Sequence, residues 1–242
     1  TKEENDQLFG TAASPYGHGH DYRARLTIRA AGGDLIEQAA VAECIDSLTR
    51  ELDHRNLNAE VQGLRDLPIT TEMLCAYIFG RANNSLPLHR VRLHERTDFF
   101  AEYTAAGQHL LALLMPFSAS HRLQSYEYSD EQNTAMYGKC NNPRGHGHLY
   151  ISEATIGGEL DERSGTLCNF VEFQDAMRES IRGWDNRHLD LETEEFRRRP
   201  STGENIVQVL WDKTDPLVWH RLERLRLWET ANNRFTLRRE TR

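Results

Sequence analysis

Apolar residues recur along the first part of the chain in two rhythms. Strict alternation over residues 22–28 predicts a half-buried strand. Three- and four-residue spacing over residues 41–52 predicts an amphipathic helix, and a second helix is expected to begin near Thr70. Alternation returns at residues 91–95, which indicates another strand. The first half therefore predicts strands on both sides of a helix pair.

The same rhythms return in the second half. Helical spacing covers residues 170–184, another helix is expected to begin near Thr202, and alternation marks a strand at residues 225–229. An apolar strand at residues 109–122 precedes them. The counterpart of that strand in the first half would lie before Thr1, so we expect it to be absent or upstream.

The two halves of the chain also share sequence motifs. Residues 1–20 align without a gap on residues 129–148, and both segments end in His-Gly-His. LDHRNLN faces WDNRHLD, Pro-x-Thr-x-Glu occurs at residues 68–72 and 200–204, and RLHERT faces RLWETA. Because the blocks keep their order, the chain is a tandem duplication.

The repeat predicts the domain organisation and the fold class. We expect one copy at residues 1–106 and the other at residues 107–242. Each copy is predicted to be α+β, an antiparallel four-stranded sheet backed by two helices. One sheet face then needs burial against another copy, which favours closure of several copies into a β-barrel and a homo-oligomer.

Net charge, apolar runs and cysteine content exclude some classes of function. The 242 residues carry a net charge of −8, which argues against a general nucleic-acid binder. The longest apolar run, residues 110–117, has the length of a strand, so no membrane span is predicted. Four irregularly spaced cysteines suggest no disulfide framework and favour a reducing cytoplasm.

Histidines at one strand start predict a metal site. His146 and His148 are two residues apart and therefore share a strand face. His-x-His alone is more often a polar strand end. With His121 on the neighbouring predicted strand, three imidazoles and an open fourth position match the layout of catalytic zinc.

A loop cysteine lies beside this predicted metal site. Cys140 follows Lys139 and precedes His146 by six residues, in a segment rich in turn formers. A nearby dication would lower the pKa of such a thiol and make it a base or nucleophile. The remaining cysteines lie in apolar contexts and are interpreted as small core residues.

The first copy carries a possible proton relay. Asp53 and His54 follow a helix directly, where a carboxylate can orient an imidazole for proton transfer. The alternative is that these side chains only close the helix C-terminus. Glu95 and Glu229 end equivalent strands on the leucine-bearing face, where an unpaired carboxylate is costly, so both predict a ligand contact.

The second predicted helix of each copy begins at a threonine. Thr70 and Thr202 are most simply N-caps, and Ser201 with Glu204 has the spacing of a capping box. Contact with a substrate is the secondary interpretation of these threonines.

Together, FSASHRL, YGKCNNPRGHGH, LDHRNLN, Pro-x-Thr-x-Glu and RLxE resemble the 6-pyruvoyltetrahydropterin and 6-carboxytetrahydropterin synthase family, nearly over the whole chain, twice. The resemblance implies tandem T-fold (tunnelling-fold) domains that assemble into barrels. It also implies a zinc cofactor held by three histidines, a pterin triphosphate substrate (7,8-dihydroneopterin triphosphate) and a proton-moving cysteine. An Asp-His pair with a glutamate forms the relay, and in the family cysteine and relay come from neighbouring subunits.

Carried over residue by residue, the resemblance assigns groups to both copies. In the second copy it places zinc on His121, His146 and His148 and the proton-moving thiol on Cys140. In the first copy it places the relay on Asp53, His54 and Glu95. Pterin contacts fall on the glutamates and threonines of both copies, namely Glu95, Glu229, Thr70 and Thr202.

The copies depart from the family pattern in complementary ways. The cysteine position of the first copy is Ala12, and the relay histidine position of the second copy is Asn186. The alternative in the second copy is that His188, two residues on, takes over the role of the relay histidine. We therefore predict one active site per chain, built from Cys140 and His54. Whether His18 and His20 hold metal stays open, because a third ligand would precede Thr1.

The resemblance leaves the product open. The six-residue step from Cys140 to His146 resembles the pyruvoyl-forming branch, so 6-pyruvoyltetrahydropterin, formed with loss of triphosphate, is the first expectation. The alternatives are 6-carboxytetrahydropterin, which is formed by the family's enzymes of queuosine synthesis, and a non-catalytic pterin-binding protein. A zinc hydrolase is disfavoured because no His-Glu-x-x-His occurs.

Overall fold

The computed structural model describes residues 1–10, 13–14, 17–29, 36–65 and 67–240. These residues form two compact units. The first unit comprises Thr1–Ala112 with Gly157–Val171, and the second comprises Leu113–Ile156 with Glu172–Arg242. The predicted domain boundary after residue 106 stays a prediction.

Helices occur in both units at the places where helical spacing predicts them. They are α1 (Lys2–Phe9), α2 (Gln38–Leu52), α3 (Leu57–Glu60), α4 (Thr71–Asn83), α5 (Asp130–Tyr137), α6 (Phe170–Ile181), α7 (Leu189–Glu192) and α8 (Gly203–Leu217). Short 3₁₀ turns cover Gln62–Leu64 and Gly138–Asn141.

Strands alternate with these helices in chain order. They are β1 (Arg23–Ile28), β2 (Leu88–Arg96), β3 (Phe99–Thr104), β4 (His109–His121), β5 (His146–Gly158), β6 (Arg187–His188), β7 (Leu222–Trp228) and β8 (Arg234–Arg238). The predicted strands at residues 22–28, 91–95, 109–122 and 225–229 are all present.

In the first unit β1, β2 and β3 lie side by side, α4 packs on β2 and β3, and α2 packs on α4. Pairing is antiparallel, with Leu26 opposite Val91 and Leu93 opposite Ala101. Because alternate residues of β2 face the helices, Val91 and Leu93 are fully buried beneath α4. The predicted α+β class is confirmed, and the strand that follows β3 in the sheet is β4, which the prediction placed in the second copy.

The second unit repeats this plan with the order β4-β5-β7-β8. Ala154 lies opposite Leu225, and Leu227 lies opposite Phe235. Helix α8 packs on β7 and β8, as α4 packs on β2 and β3. The short strand β6 pairs in parallel with the end of β4, and this pairing anchors the turn after α6.

The prediction lacked the one-turn helices α3 and α7 and also two longer helices, α1 and α5. Each of the two longer helices begins with a capping box, Thr1 with Glu4 and Ser129 with Gln132, and ends at a glycine with positive φ. Their apolar content is too low for a periodic signal, but the S/T-x-x-E/Q spacing marks both starts. They therefore form through local capping and not through an apolar face.

No helix among the described residues is long and apolar enough to cross a membrane. None of the described cysteines forms a disulfide bond: Cys44 and Cys75 are buried, and Cys140 and Cys168 are half-buried.

Candidate active site

Three histidines of the second unit converge at one point. His121 ends β4, and His146 and His148 begin β5, so the pairing of these two strands places them side by side. One nitrogen from each ring lies within 4.8 Å of the others, and the Nε2 atoms of His121 and His146 are 3.1 Å apart. Among the described residues this is the one such group of three.

The second unit also fixes the orientation of His121. Its Nδ1 lies 2.8 Å from the carbonyl oxygen of Ser201, which can only accept, so Nδ1 carries the proton and Nε2 presents a lone pair. The predicted capping box at Ser201 is wrong, because Thr202 is the N-cap of α8. Ser201 is instead fully buried, and its hydroxyl donates to Asp190 at 2.7 Å.

An unpartnered nitrogen supports a metal at this cluster. Within the described part of the chain, His148 Nε2 is buried and has no hydrogen-bond partner. Burial lowers the pKa of His146 and of His121, and the neighbouring imidazoles lower it further, so both rings stay neutral. Neutral imidazoles with lone pairs directed at one point are the donors that zinc takes.

Cys140 lies in a loop that is tied to the same strand end. The carbonyl oxygen of Cys140 accepts from Leu123 N–H at 2.9 Å, and the Asn141 amide donates to Leu123 O at 2.7 Å. Gly145 turns the chain toward His146 with φ +68°, and a β-carbon there would meet the backbone of His121. Residues 138–146 are therefore held against the end of β4, with the Cys140 side chain half-buried.

The relay candidates lie in the first unit, at the end of α2. His54 Nδ1 is 3.0 Å from Asp53 Oδ2, and the imidazole is 93 % exposed. His54 has φ +55°, and Asn186, its repeat equivalent, has φ +57°. Histidine and asparagine are among the residues that adopt this conformation most readily. The turn is thus the same in both copies although the chemistry differs.

In the second unit this turn is fastened to β4 by backbone hydrogen bonds. Asp185 accepts from Ser118 N–H at 2.8 Å, and Asn186 N–H donates to Ser118 O at 2.6 Å. His188 contacts the Gly145 turn and lies 3.8 Å from Asp190. Asp185 therefore has a structural role, whereas Asp53 orients an exposed imidazole.

The two strand-end glutamates lie in different surroundings. Glu95 accepts from the Thr71 hydroxyl, and its other oxygen is 3.5 Å from His20 Nδ1. Glu229 Oε1 lies 3.5 Å from His121 Nε2, against the metal candidates. Glu95, predicted as part of the relay, is thus beside His20. Glu229 is the carboxylate at the histidine triad.

Tyr150 is a site residue that the pattern analysis missed. Its hydroxyl donates to Glu229 Oε1 at 3.4 Å, and burial raises the pKa of this phenol, with the charge of Glu229 adding to the shift. Tyr22 holds the equivalent place beside Glu95. The tyrosine two residues after His-Gly-His in both repeats was the available signal.

The threonine caps are confirmed in both copies. Thr70 accepts from Met73 N–H at 3.2 Å, and Thr202 accepts from Asn205 N–H at 3.4 Å. Thr70 also donates to Gly165 O at 2.6 Å, which ties residues 159–169 to α4 within the first unit. Ala12, the predicted replacement of the cysteine, lies outside the described residues.

The buried carboxyl of Glu72, in the first turn of α4, predicts a pH-dependent stability. Its buried carboxyl accepts from Leu167 N–H at 3.1 Å, and burial raises its pKa to about 7 from 4.5, with the charge of Glu95 adding to the shift. The folded state therefore keeps the proton that the unfolded chain loses. This contribution to the unfolding free energy is full below pH 4.5 and is lost as the pH rises to about 7.

Glu72→Gln is expected to remove that loss, which is on the order of 2–3 kcal/mol. Denaturant unfolding between pH 4.5 and 7.5 measures it. Glu204→Gln is the matched control, because Glu204 holds the equivalent place in the second copy and is exposed. Parallel pH curves for the wild type and Glu72→Gln would contradict the prediction.

Comparison with known proteins agrees with the tandem duplication. The family model for 6-pyruvoyl tetrahydropterin synthase matches residues 4–106 and again residues 112–240. The chain belongs to the 6-pyruvoyl tetrahydropterin synthase family. The predicted lyase of this family is confirmed at that level, as are the T-fold and the pterin class of enzyme.

Relatives in this synthase family each match about half of the chain. The human 6-pyruvoyl tetrahydrobiopterin synthase is 40 % identical over 119 residues, which are 48 % of this chain and 82 % of the relative. The Drosophila melanogaster protein of the same name is 43 % identical over 97 residues, 40 % of this chain and 58 % of the relative. Such half-length matches are what two copies of one domain predict.

A solved structure supports the fold assignment. The Caenorhabditis elegans 6-pyruvoyl tetrahydropterin synthase superposes with a TM-score of 0.53 at 32 % identity. The match covers 55 % of this chain and 96 % of that structure.

Proposed function

We propose that this chain converts 7,8-dihydroneopterin triphosphate into 6-pyruvoyltetrahydropterin with release of triphosphate. Family membership supports the reaction class, and the observation that carries the proposal is the triad of His121, His146 and His148 at the end of the Cys140 loop. The ring is reduced as the side chain is oxidised, so no external redox partner is required.

Zinc held by the triad would supply Lewis acidity toward the side-chain oxygens of the substrate. His121 Nε2 and the unpartnered His148 Nε2 are donors suited to this role, since both present lone pairs toward the same point. Zinc is therefore the proposed cofactor.

Proton movement is assigned to groups from both copies. The Cys140 thiolate takes a proton from a side-chain carbon of the substrate. His54 bonds Asp53 through Nδ1, which leaves Nε2 to deliver or collect a proton. Each active centre then takes its thiol from a second copy and its imidazole from a first copy, which gives one centre per chain.

The pterin ring needs an acceptor for its N–H groups. A strand-end carboxylate meets this need, and Glu229 is proposed as the anchor because it lies beside the triad. Thr202, at the start of α8 next to Gly203, is the second proposed contact. Glu95 and Thr70 hold the equivalent places in the first copy, where Glu95 is engaged by Thr71 and His20.

Incubation of the zinc-loaded protein with 7,8-dihydroneopterin triphosphate tests the proposal, with products identified by mass spectrometry. We expect the pyruvoyl product and inorganic triphosphate. A carboxy product would assign the chain to the other branch of the family. Binding without turnover would support a pterin-binding protein, a possibility that the loss of cysteine at Ala12 keeps open.

A homo-oligomer closed through the sheets is proposed as the assembly. Alternation of unlike copies around a ring requires an even number of copies, so two chains forming a four-domain barrel is the expected smallest assembly. Light scattering on the purified protein measures the mass. A monomer that retains full turnover would contradict this assembly.

A further inference from the structure

Glu95 and Glu229 hold equivalent positions at the ends of their strands, but they contact different groups. Leu93 and Leu227, two residues before each glutamate, face the third strand of their sheets in the same register. Yet Glu95 is bonded by the Thr71 hydroxyl, and Glu229 points at His121 and His148, at 3.5 and 3.9 Å. Some neighbouring difference must redirect the second carboxylate.

That difference is an exchange of side-chain size at two contacting positions. The residue after the N-cap threonine is Thr71 in the first copy and Gly203 in the second. The residue opposite the leucine is Ala101 in the first copy and Phe235 in the second. A β-carbon on Gly203 would overlap the Phe235 ring, so the phenylalanine excludes the threonine.

Because Gly203 has no hydroxyl equivalent to that of Thr71, Glu229 accepts hydrogen bonds from other donors. Asn233 Nδ2 donates to Oε2 at 3.2 Å, and the Tyr150 hydroxyl donates to Oε1 at 3.4 Å. The equivalent of Asn233 in the first copy is Phe99, which has no donor. Asn233 therefore holds one oxygen back and leaves Oε1 facing the histidine nitrogens.

The distances match a coordination shell. Ligand atoms about 2.05 Å from a tetrahedral zinc are about 3.3 Å from each other. His121 Nε2 lies 3.1 Å from His146 Nε2 and 3.5 Å from Glu229 Oε1, close to that edge length. The carboxylate is 13 % exposed, so little water competes for this position.

We propose that Glu229 Oε1 is the fourth ligand of the metal in the substrate-free protein. This inference rests on the proposed function in one respect, that the histidine triad binds zinc. With zinc bound, the Glu229 carboxylate would occupy the fourth position, which the oxygens of the substrate side chain would need. A Glu229 carboxylate that leaves the metal would be able to accept hydrogen bonds from the N–H groups of the pterin ring. Release of the metal position and anchoring of the ring would then be coupled.

Zinc affinity without substrate provides the test, measured by competition with a chromogenic chelator. Glu229→Gln is expected to weaken zinc binding by on the order of 10-fold to 100-fold, since a charged ligand is replaced by a poor one. Glu95→Gln is the matched control, because it makes the same change at the equivalent position, and it should leave the affinity unchanged.

Replacing zinc by cobalt(II) distinguishes direct coordination of the metal by Glu229 from electrostatic attraction by a nearby carboxylate. A carboxylate that binds the metal sets its ligand field, so the visible absorption of the cobalt protein should shift in Glu229→Gln and stay unaltered in Glu95→Gln. If Glu229→Gln weakens zinc binding but leaves the cobalt spectrum unaltered, Glu229 attracts the metal without binding it, and the proposal is overturned.

A second variant tests the cause without touching the carboxylate. Gly203→Thr with Phe235→Ala rebuilds the surroundings of the first copy, and its hydroxyl should draw Glu229 away from the metal. We expect zinc affinity and the cobalt spectrum to change as in Glu229→Gln, whereas Phe235→Ala alone should keep wild-type values. Unchanged affinity in the double variant would overturn the proposal. A wild-type chain that binds no zinc would contradict the proposed function itself.

Discussion

Replacing Cys140 or His54 by alanine is expected to lower turnover of 7,8-dihydroneopterin triphosphate by about 10³-fold or more. Each residue is proposed to move a proton, and the loss of a positioned acid or base costs 10²–10⁴-fold. The repeat offers no substitute for either, since Ala12 and Asn186 hold the equivalent positions. Initial rates at saturating substrate measure the effect.

Matched controls exist within the chain for both variants. His220 forms an exposed pair with Asp215 at 3.2 Å, much as His54 does with Asp53. Cys168 is another half-buried thiol. His220→Ala and Cys168→Ala should therefore keep wild-type rates.

The double variant carries a further expectation. If both groups serve one centre, Cys140→Ala with His54→Ala should lose about as much activity as either single variant, because groups that act as a unit are not additive. Full activity in either single variant would show that the two copies do not share a centre.

Loss of either half-buried member of the triad, His146 or His148, is the other large expected effect. His146→Ala and His148→Ala should each weaken zinc binding by more than the roughly 10–100-fold typical of outer-shell partners, and turnover should fall to background. Each variant leaves the ion only two imidazoles and the carboxylate of Glu229, which lies 3.5 Å from His121 and 3.9 Å from His148. Chelator competition and metal analysis after dialysis measure the loss.

A histidine outside the triad serves as the control for these variants. His109 lies half-buried at the other end of β4, so His109→Ala tests the cost of removing an imidazole from that strand. It should retain stoichiometric zinc. His121 is fully buried and bonded to Ser201, so its removal would confound metal loss with unfolding. Stoichiometric zinc in His148→Ala would exclude the triad as the metal site.

Local chemistry explains what could be predicted. The caps at Thr70 and Thr202 and the strand starting at His146 depend on residues within one turn or one strand, where spacing alone sets which side chains share a face. The duplication could also be predicted, because aligning one half of the chain with the other reveals it. The capping box at Ser201 failed for the opposite reason, since a buried contact with Asp190 and His121 outweighs a local cap.

By itself the sequence determined the duplication, the α+β copies, the histidine triad and the complementary loss of thiol and imidazole. Only the tertiary structure decided that Glu229, and not Glu95, faces the triad, and that Tyr150 and Asn233 hold it there. The physical reason is that a carboxylate takes its direction from whichever donors folding brings near it. One hydroxyl missing at Gly203 and one ring added at Phe235, distant in sequence and touching in space, redirect it.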